Sequence, residues 1–80
     1  MSRYLFIALD QRRKLMFLRS KGKLLHRKFR NAHQVLVYNL GDFYVEVWYD
    51  AVDYTVENLI IHKDRSLLCY NFNLENRQVA

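Results

Sequence analysis

Apolar and polar residues alternate along the middle of the chain. In residues 43–49 the odd positions are Phe, Val, Val and Tyr, and the even positions are Tyr44, Glu46 and Trp48. A period of two is typical of a strand, because successive side chains of a strand point to opposite faces of the sheet. The pattern predicts strands at residues 23–31, 34–40, 42–50 and 54–62, joined by short polar turns into an antiparallel meander.

Two of these strands are apolar on both faces. Within residues 34–40, Val35 and Val37 oppose Leu36, Tyr38 and Leu40. A helical layer covers only one face of a sheet, so the second face needs a cover of its own. The C-terminal segment, which contains leucines and aromatic residues, and a second copy of the protein are the two alternatives.

Residues 3–21 lack this alternation and are rich in Leu, Met, Arg and Lys, which favour helix over strand. Ser2 and Asp10 are suitable N-cap residues, and Gly22 is expected to end the segment in the left-handed conformation that glycine tolerates. The segment is predicted to be helical, as one helix or as two short helices that meet near Asp10. A hairpin around residues 10–14 is the less favoured alternative.

The order of these segments predicts an α+β fold, in which an N-terminal helical segment packs on a four-stranded antiparallel meander sheet. Residues 65–70 are predicted to form a short helix after a cap at Asp64, and residues 71–80 to form a frayed tail. A chain of 80 residues is expected to be a single domain with a thin core.

The run Gly41–Asp50 reads GDFYVEVWYD and is preceded by Gly22-Lys23-Leu24-Leu25 and a Val-Leu-Val-Tyr strand. With these motifs the chain resembles a group of small uncharacterised bacterial proteins that have a leading helical segment followed by an antiparallel sheet. The similarity covers about residues 10–70. It implies an α+β architecture in a bacterial protein and no particular activity.

Composition limits the compartment and the class of protein. An apolar fraction of 51% with 15% aromatic residues supports a packed core, and the single cysteine, Cys69, excludes an internal disulfide. No apolar run reaches the roughly 20 residues of a membrane span, and the opening run of apolar residues fits a signal peptide poorly. A cytoplasmic protein without a membrane partner is expected.

The net charge of +5 hides an asymmetry between the two halves of the chain. Residues 1–34 contain ten Lys or Arg and one acid, whereas residues 35–80 contain three Lys or Arg and seven acids. Such a division is typical of an anion-binding first half. It is equally typical of halves that neutralise each other, either within one fold or across a dimer.

Association through the sheet is the leading functional hypothesis. Tyr and Trp often anchor protein interfaces, and Tyr38, Tyr44 and Trp48 are predicted to share a face with Glu46. A basic half and an acidic half are also complementary in a two-fold pairing. The chain is therefore interpreted as a small protein-interaction module that forms a homodimer or binds a protein partner.

Nucleic-acid binding is the alternative function. It would use two basic clusters, whose members are Arg12, Arg13, Lys14, Arg27, Lys28 and Arg30. Clustered cations contact phosphates, and nearby aromatic rings stack on bases. The competing explanation is that these cations form a solvated helix face and an edge strand protected against pairing.

Other chemistry finds little support in the residues. His26, His33 and His62 are far apart in sequence, and Cys69 has no partner at metal-ligand spacing. Two glycines do not provide a phosphate-binding loop. We therefore expect no catalytic site, no metal and no cofactor, and the residues indicate no small-molecule ligand.

Overall fold

The computed structural model describes residues 1–63. Two helices, α1 (Arg3–Ala8) and α2 (Gln11–Lys21), precede four strands, which are β1 (Lys23–Arg30), β2 (His33–Asn39), β3 (Tyr44–Asp50) and β4 (Val56–His62). The strands form an antiparallel sheet in the order β1-β2-β3-β4. The predicted α+β fold is thereby confirmed. The predicted helix at residues 65–70, the tail at residues 71–80 and Cys69 lie outside the described residues.

Local capping separates the two helices. Ser2 Oγ accepts a hydrogen bond from the backbone N–H of Leu5 at 3.2 Å, and Asp10 Oδ1 accepts one from that of Arg13 at 2.8 Å. Asp10 itself has an extended backbone, with φ −71° and ψ 168°. Since an N-cap residue lies outside the helix that it starts, the helical segment is interrupted there. Of the open alternatives, the structure therefore has two short helices.

Gly22 ends α2, but the prediction of a left-handed conformation is wrong. Its φ of −77° and ψ of 145° are extended, so the chain passes directly into β1. Glycine is needed here for close approach. A Cβ atom at this position would lie 2.7 Å from the carbonyl oxygen of Leu18 and 3.1 Å from Cδ1 of Tyr38.

The two helices cover one face of the sheet, which we call the helix face. Phe6 of α1 and Leu18 of α2 are buried against Phe43, Val45 and Val47. The Phe6 and Phe43 ring centroids lie 5.4 Å apart. Complete burial of a side chain of this size contributes about 1.5–3 kcal/mol. These five residues are the centre of the main core.

A bulge in β1 determines which of its side chains face the helices. Leu24 pairs with Tyr38, but the next paired residue is His26, opposite Val37. Leu25 is therefore an extra residue, and it packs against the cluster of Val35 and Val37 on the opposite side of the sheet. We call that side the second face.

Candidate functional site

The second face holds a buried carboxylate near the middle of β3. Glu46 is only 8% exposed. Its Oε1 accepts a hydrogen bond from Trp48 Nε1–H at 3.0 Å, and its Oε2 lies 2.8 Å from His62 Nε2. The contact with His62 is an ion-pair contact without the alignment of a hydrogen bond. Trp48 and His62 therefore contact different oxygens of the same carboxylate.

The strand register explains why these three side chains meet. Glu46 and Trp48 are two residues apart on β3 and so point to the same face. On the neighbouring strand His62 pairs with Tyr44, which places the imidazole diagonally next to Glu46. A buried carboxylate is costly unless it is paired and hydrogen-bonded. Here Trp48 supplies the hydrogen bond, and His62, when protonated, supplies the opposite charge.

A second histidine–carboxylate pair lies on the other side of Trp48. His33 Nε2 is 3.2 Å from Glu57 Oε1, and the His33 ring lies edge-to-face with the Trp48 ring at a centroid distance of 5.7 Å. This pair is more exposed than the first, since the Glu57 side chain is 45% accessible and that of Glu46 is 11%. Trp48 thus lies between a buried pair and a surface pair.

The prediction that Tyr38, Tyr44 and Trp48 share one face is wrong for Tyr38. Tyr38 pairs with Val45 in the register and packs in the main core, so it lies on the helix face. Tyr44 and Trp48 do share the second face with Glu46, but both are half-buried and pack against the fully buried Val35 and Val37. In a single copy, these rings are already used for internal packing.

The six predicted nucleic-acid-binding cations do not form one patch. Arg12 and Arg13 are exposed in the first turn of α2, and Lys14 next to them is half-buried. Arg27 pairs with Leu36 and lies on the helix face, whereas Lys28 pairs with Val35 and lies on the second face.

Lys28 and Arg30 are both on the second face. The Lys28 ammonium is buried, and desolvation together with the charge of Arg30 lowers the pKa of Lys28. A buried ammonium is not available to a phosphate in solution. The cluster at residues 27–30 is therefore divided between the two faces of the sheet, and of its three cations only Arg27, on the helix face, is exposed.

The histidines are too far apart for a shared metal site. His26 is on β1 and His62 is on β4, which are the two edge strands of the sheet. Within residues 1–63, no group of three His, Cys, Asp or Glu side chains is arranged to hold a metal ion.

Sequence reasoning missed an exposed apolar surface on α1. Met1, Tyr4, Leu5 and Ile7 are 51%, 73%, 62% and 49% exposed, whereas Phe6 is buried. At 3.6 residues per turn the three helical members lie on the side of α1 opposite Phe6. Every residue of α1 after Arg3 is apolar or aromatic, so the sequence pattern does not show which side of the helix is buried. We call Met1, Tyr4, Leu5 and Ile7 the α1 surface.

The residues that line a shallow cavity show where α1 lies relative to the sheet. It has a volume of about 230 Å³ and is lined by Ser2, Arg3, Tyr4, Asp42 and Lys63. Asp42 lies two residues before β3, and Lys63 immediately follows β4. The start of α1 is therefore at the end of the sheet where β3 begins.

The loop between β3 and β4 lies at the other end of the sheet. Asp50 Oδ1 accepts hydrogen bonds from the backbone N–H groups of Val52 and Asp53, at 2.8 and 3.2 Å. These bonds hold the pKa of Asp50 below its ordinary value. Asp53 Oδ1 in turn accepts hydrogen bonds from the backbone N–H and the hydroxyl of Thr55. The loop is thereby fixed by its own carboxylates.

This loop presents two apolar side chains to solvent. Val52 is 85% exposed and Tyr54 is 67% exposed. Tyr54 has a φ of 61°, in the left-handed region that a tyrosine rarely adopts. Backbone strain of this kind persists only where the surrounding structure enforces it, and it is often found at functional sites. We call Val52 and Tyr54 the loop tip.

Comparisons of the chain with models of protein families, with curated proteins and with solved structures give no match. In the described part of the chain, no helix combines the length and the apolar character needed to cross a membrane.

Proposed function

We propose that this protein is a small association module that pairs with a second copy of itself, with the loop tip of each copy on the α1 surface of the other. The observation that carries the proposal is the exposure of two complementary apolar surfaces at opposite ends of one sheet. Exposed apolar clusters of this kind commonly mark protein–protein contacts.

The separation of the two surfaces favours an antiparallel pair. The α1 surface lies at the end where β3 begins, and the loop tip follows the end of β3. β3 contains seven residues, so the two surfaces are about 20 Å or more apart. In a two-fold antiparallel pair, both surfaces of one copy meet their counterparts on the other at once. A closed pair of this kind buries both the α1 surface and the loop tip of each copy.

Charge supports the same pairing. Residues 50–57 contain three acids and no Lys or Arg, while α1 and α2 contain six Lys or Arg and no acid. Two helical layers would repel each other, and so would two loops. A loop against a helical layer is attractive, which favours the pairing in on-rate and orientation.

This proposal keeps self-association but moves it away from the aromatic residues of the second face. Trp48 donates its indole N–H to Glu46, and Val35 and Val37 beneath it are already buried. Interface anchors need exposed rings in the free subunit, and Tyr4 and Tyr54 meet that condition better than Tyr44 and Trp48.

Light scattering at micromolar concentration tests the proposal. We expect a mass of about twice 9.8 kDa for the wild-type chain, with partial dissociation at high salt. Tyr54→Gly removes one aromatic anchor from each copy and so two from each pair; since each anchor contributes about 2 kcal/mol, pairing should weaken by about a thousandfold. Glycine tolerates a φ of 61°, so this variant should remain folded.

Phe29→Ala is the matched control. Phe29 is 65% exposed, almost the same as Tyr54, but lies on β1 and outside both pairing surfaces. It should leave the mass unchanged. A wild-type mass of 9.8 kDa across the concentration range would contradict the proposal, and so would equal dissociation of both variants.

A further inference from the structure

The helix face of the sheet is without negative charge along β1, β2 and β3. In the described residues, the acidic side chains of these strands, such as Glu46 and Asp50, pair with second-face residues in the register. The helix α2, which lies on the helix face, also contains no acid between Gln11 and Lys21. Among residues 1–63, the β1 side of this face therefore presents cations and no acid.

Arg27 and Phe29 are neighbours on this face. They are two residues apart on β1 and pair with Leu36 and Gln34 of β2. Side chains two apart on a strand point the same way, about 7 Å from each other. Phe29 is 65% exposed, which is unusual for a phenylalanine on the same side as a helical layer.

A second arginine approaches from α2. The close contact of Gly22 with the Tyr38 ring places the last turn of α2 above β2. Arg19 lies in that turn, and both Arg19 and Arg27 are close enough to influence the ionisation of Tyr38. Both arginines are therefore on the helix face near Tyr38, and Phe29 lies two residues beyond Arg27 along β1.

Protection of an edge strand does not account for this arrangement. Cations on β1 discourage pairing with another sheet, and Arg27 alone would serve that purpose. An exposed Phe29 works against it, because it adds apolar surface at the edge. An exposed ring next to arginine side chains is instead the combination that binds the bases and phosphates of an unpaired strand.

We propose that Arg19, Arg27 and Phe29 form a binding strip for single-stranded nucleic acid. A base stacks on the Phe29 ring, and the two arginines contact phosphates on the same strand. A duplex is not the ligand, because its bases are stacked on each other and present no free ring face. This site goes beyond the proposed pairing and uses none of the residues of the α1 surface or the loop tip.

Fluorescence anisotropy with labelled DNA and RNA strands of about 12 nucleotides tests the strip. Each phosphate contact gives a slope of about −0.7 in log affinity against log salt, so two contacts predict about sevenfold weaker binding from about 50 to about 200 mM salt. Arg27→Gln should reduce the slope by about 0.7. Phe29→Ala should weaken binding about tenfold, and Phe29→Trp should restore it.

Two control variants keep the test specific. Arg12→Gln removes the same charge at the other end of α2 and should change the affinity little. Tyr54→Gly removes an equally exposed ring from the loop and should change only the mass of the protein in solution. Loss of pairing in that variant with intact strand binding would separate the two proposals.

Three results would overturn the strip. The first is no anisotropy change with either strand at low salt. The second is an equal effect of Arg12→Gln and Arg27→Gln, which would indicate diffuse attraction to the basic half of the chain. The third is displacement of the strand by poly-glutamate at equal charge concentration, which would indicate an acidic protein surface as the ligand.

Discussion

The buried carboxylate on the second face provides the sharpest test of the fold. Glu46→Ala removes the acceptor of the Trp48 indole N–H and the charge next to His62, which lie 3.0 and 2.8 Å from its oxygens. A buried polar group left without a partner costs about 1–3 kcal/mol, and at a pH where His62 is protonated, loss of one member of a buried ion pair costs about 3–5 kcal/mol. Because Glu46 retains 8% exposure, we expect a loss near the lower end, about 3 kcal/mol.

Such a loss is large for this protein. A domain of 80 residues has a free energy of unfolding of roughly 4–12 kcal/mol. Urea unfolding followed by tryptophan fluorescence measures it directly, because Trp48 is the single tryptophan and contacts Glu46. Glu46→Gln should lose less than Glu46→Ala, since its amide oxygen still accepts from Trp48.

Glu57→Gln is the matched control, because Glu57 forms the same kind of pair with His33 at the surface. Exposed ion pairs contribute about 0–1 kcal/mol, so this variant should change stability by less than about 1 kcal/mol. Equal losses for Glu46→Gln and Glu57→Gln would refute the reasoning, since burial would then make no difference. A loss below about 0.5 kcal/mol for Glu46→Ala would refute it as well.

Four further variants test other parts of the structure. Gly22→Ala should lower the free energy of unfolding measured in urea by about 1–3 kcal/mol, because its Cβ would lie 2.7 Å from the Leu18 carbonyl oxygen. A Cβ at Gly41 meets open space, so Gly41→Ala should lose only the cost of a φ of 96°, about 1 kcal/mol. Asp50→Asn should lower the urea midpoint at neutral pH, and this difference should shrink as the pH falls below 3.8, because a carboxyl group with a lowered pKa stabilises the fold only while it is ionised. Burial raises the pKa of Tyr38 above its ordinary value of 10.0. The protonated phenol therefore stabilises the fold below pH 10, and this stabilisation is lost as the pH rises through the raised pKa. Tyr38→Phe has no phenol to ionise, so its urea midpoint should fall less at alkaline pH than that of the wild type.

The sequence holds information on the strand register beyond the alternation of apolar and polar residues. Alternation and capping predict the four strands and the break at Asp10. The two-residue turn Gly41-Asp42 also determines which faces match, because Leu40 bonds to Phe43 across it. An even-numbered residue of β2 then shares a face with an odd-numbered residue of β3, which places Tyr38 with Val45. The error on Tyr38 came from comparing residues of the same parity across this turn.

Other features had no local signal. The bulge at Leu25 reverses the face of the residues before it, and no glycine marks it. The contact of Glu46 with His62 depends on the register between β3 and β4, which a loop of five residues does not fix. The exposed ring of Tyr54 depends on a backbone conformation that is held by Asp50 and Asp53.

A mixing experiment tests the proposed pairing most directly. Leu5→Gln disrupts the α1 surface and Tyr54→Gly disrupts the loop tip, so a pair of either variant with itself has no intact contact. A mixed pair has one intact contact, formed by the loop tip of the Leu5→Gln copy on the α1 surface of the Tyr54→Gly copy. We predict that light scattering gives about 9.8 kDa for each variant alone and a clearly higher mass for their mixture. A mixture that stays at 9.8 kDa while the wild type pairs would contradict the account.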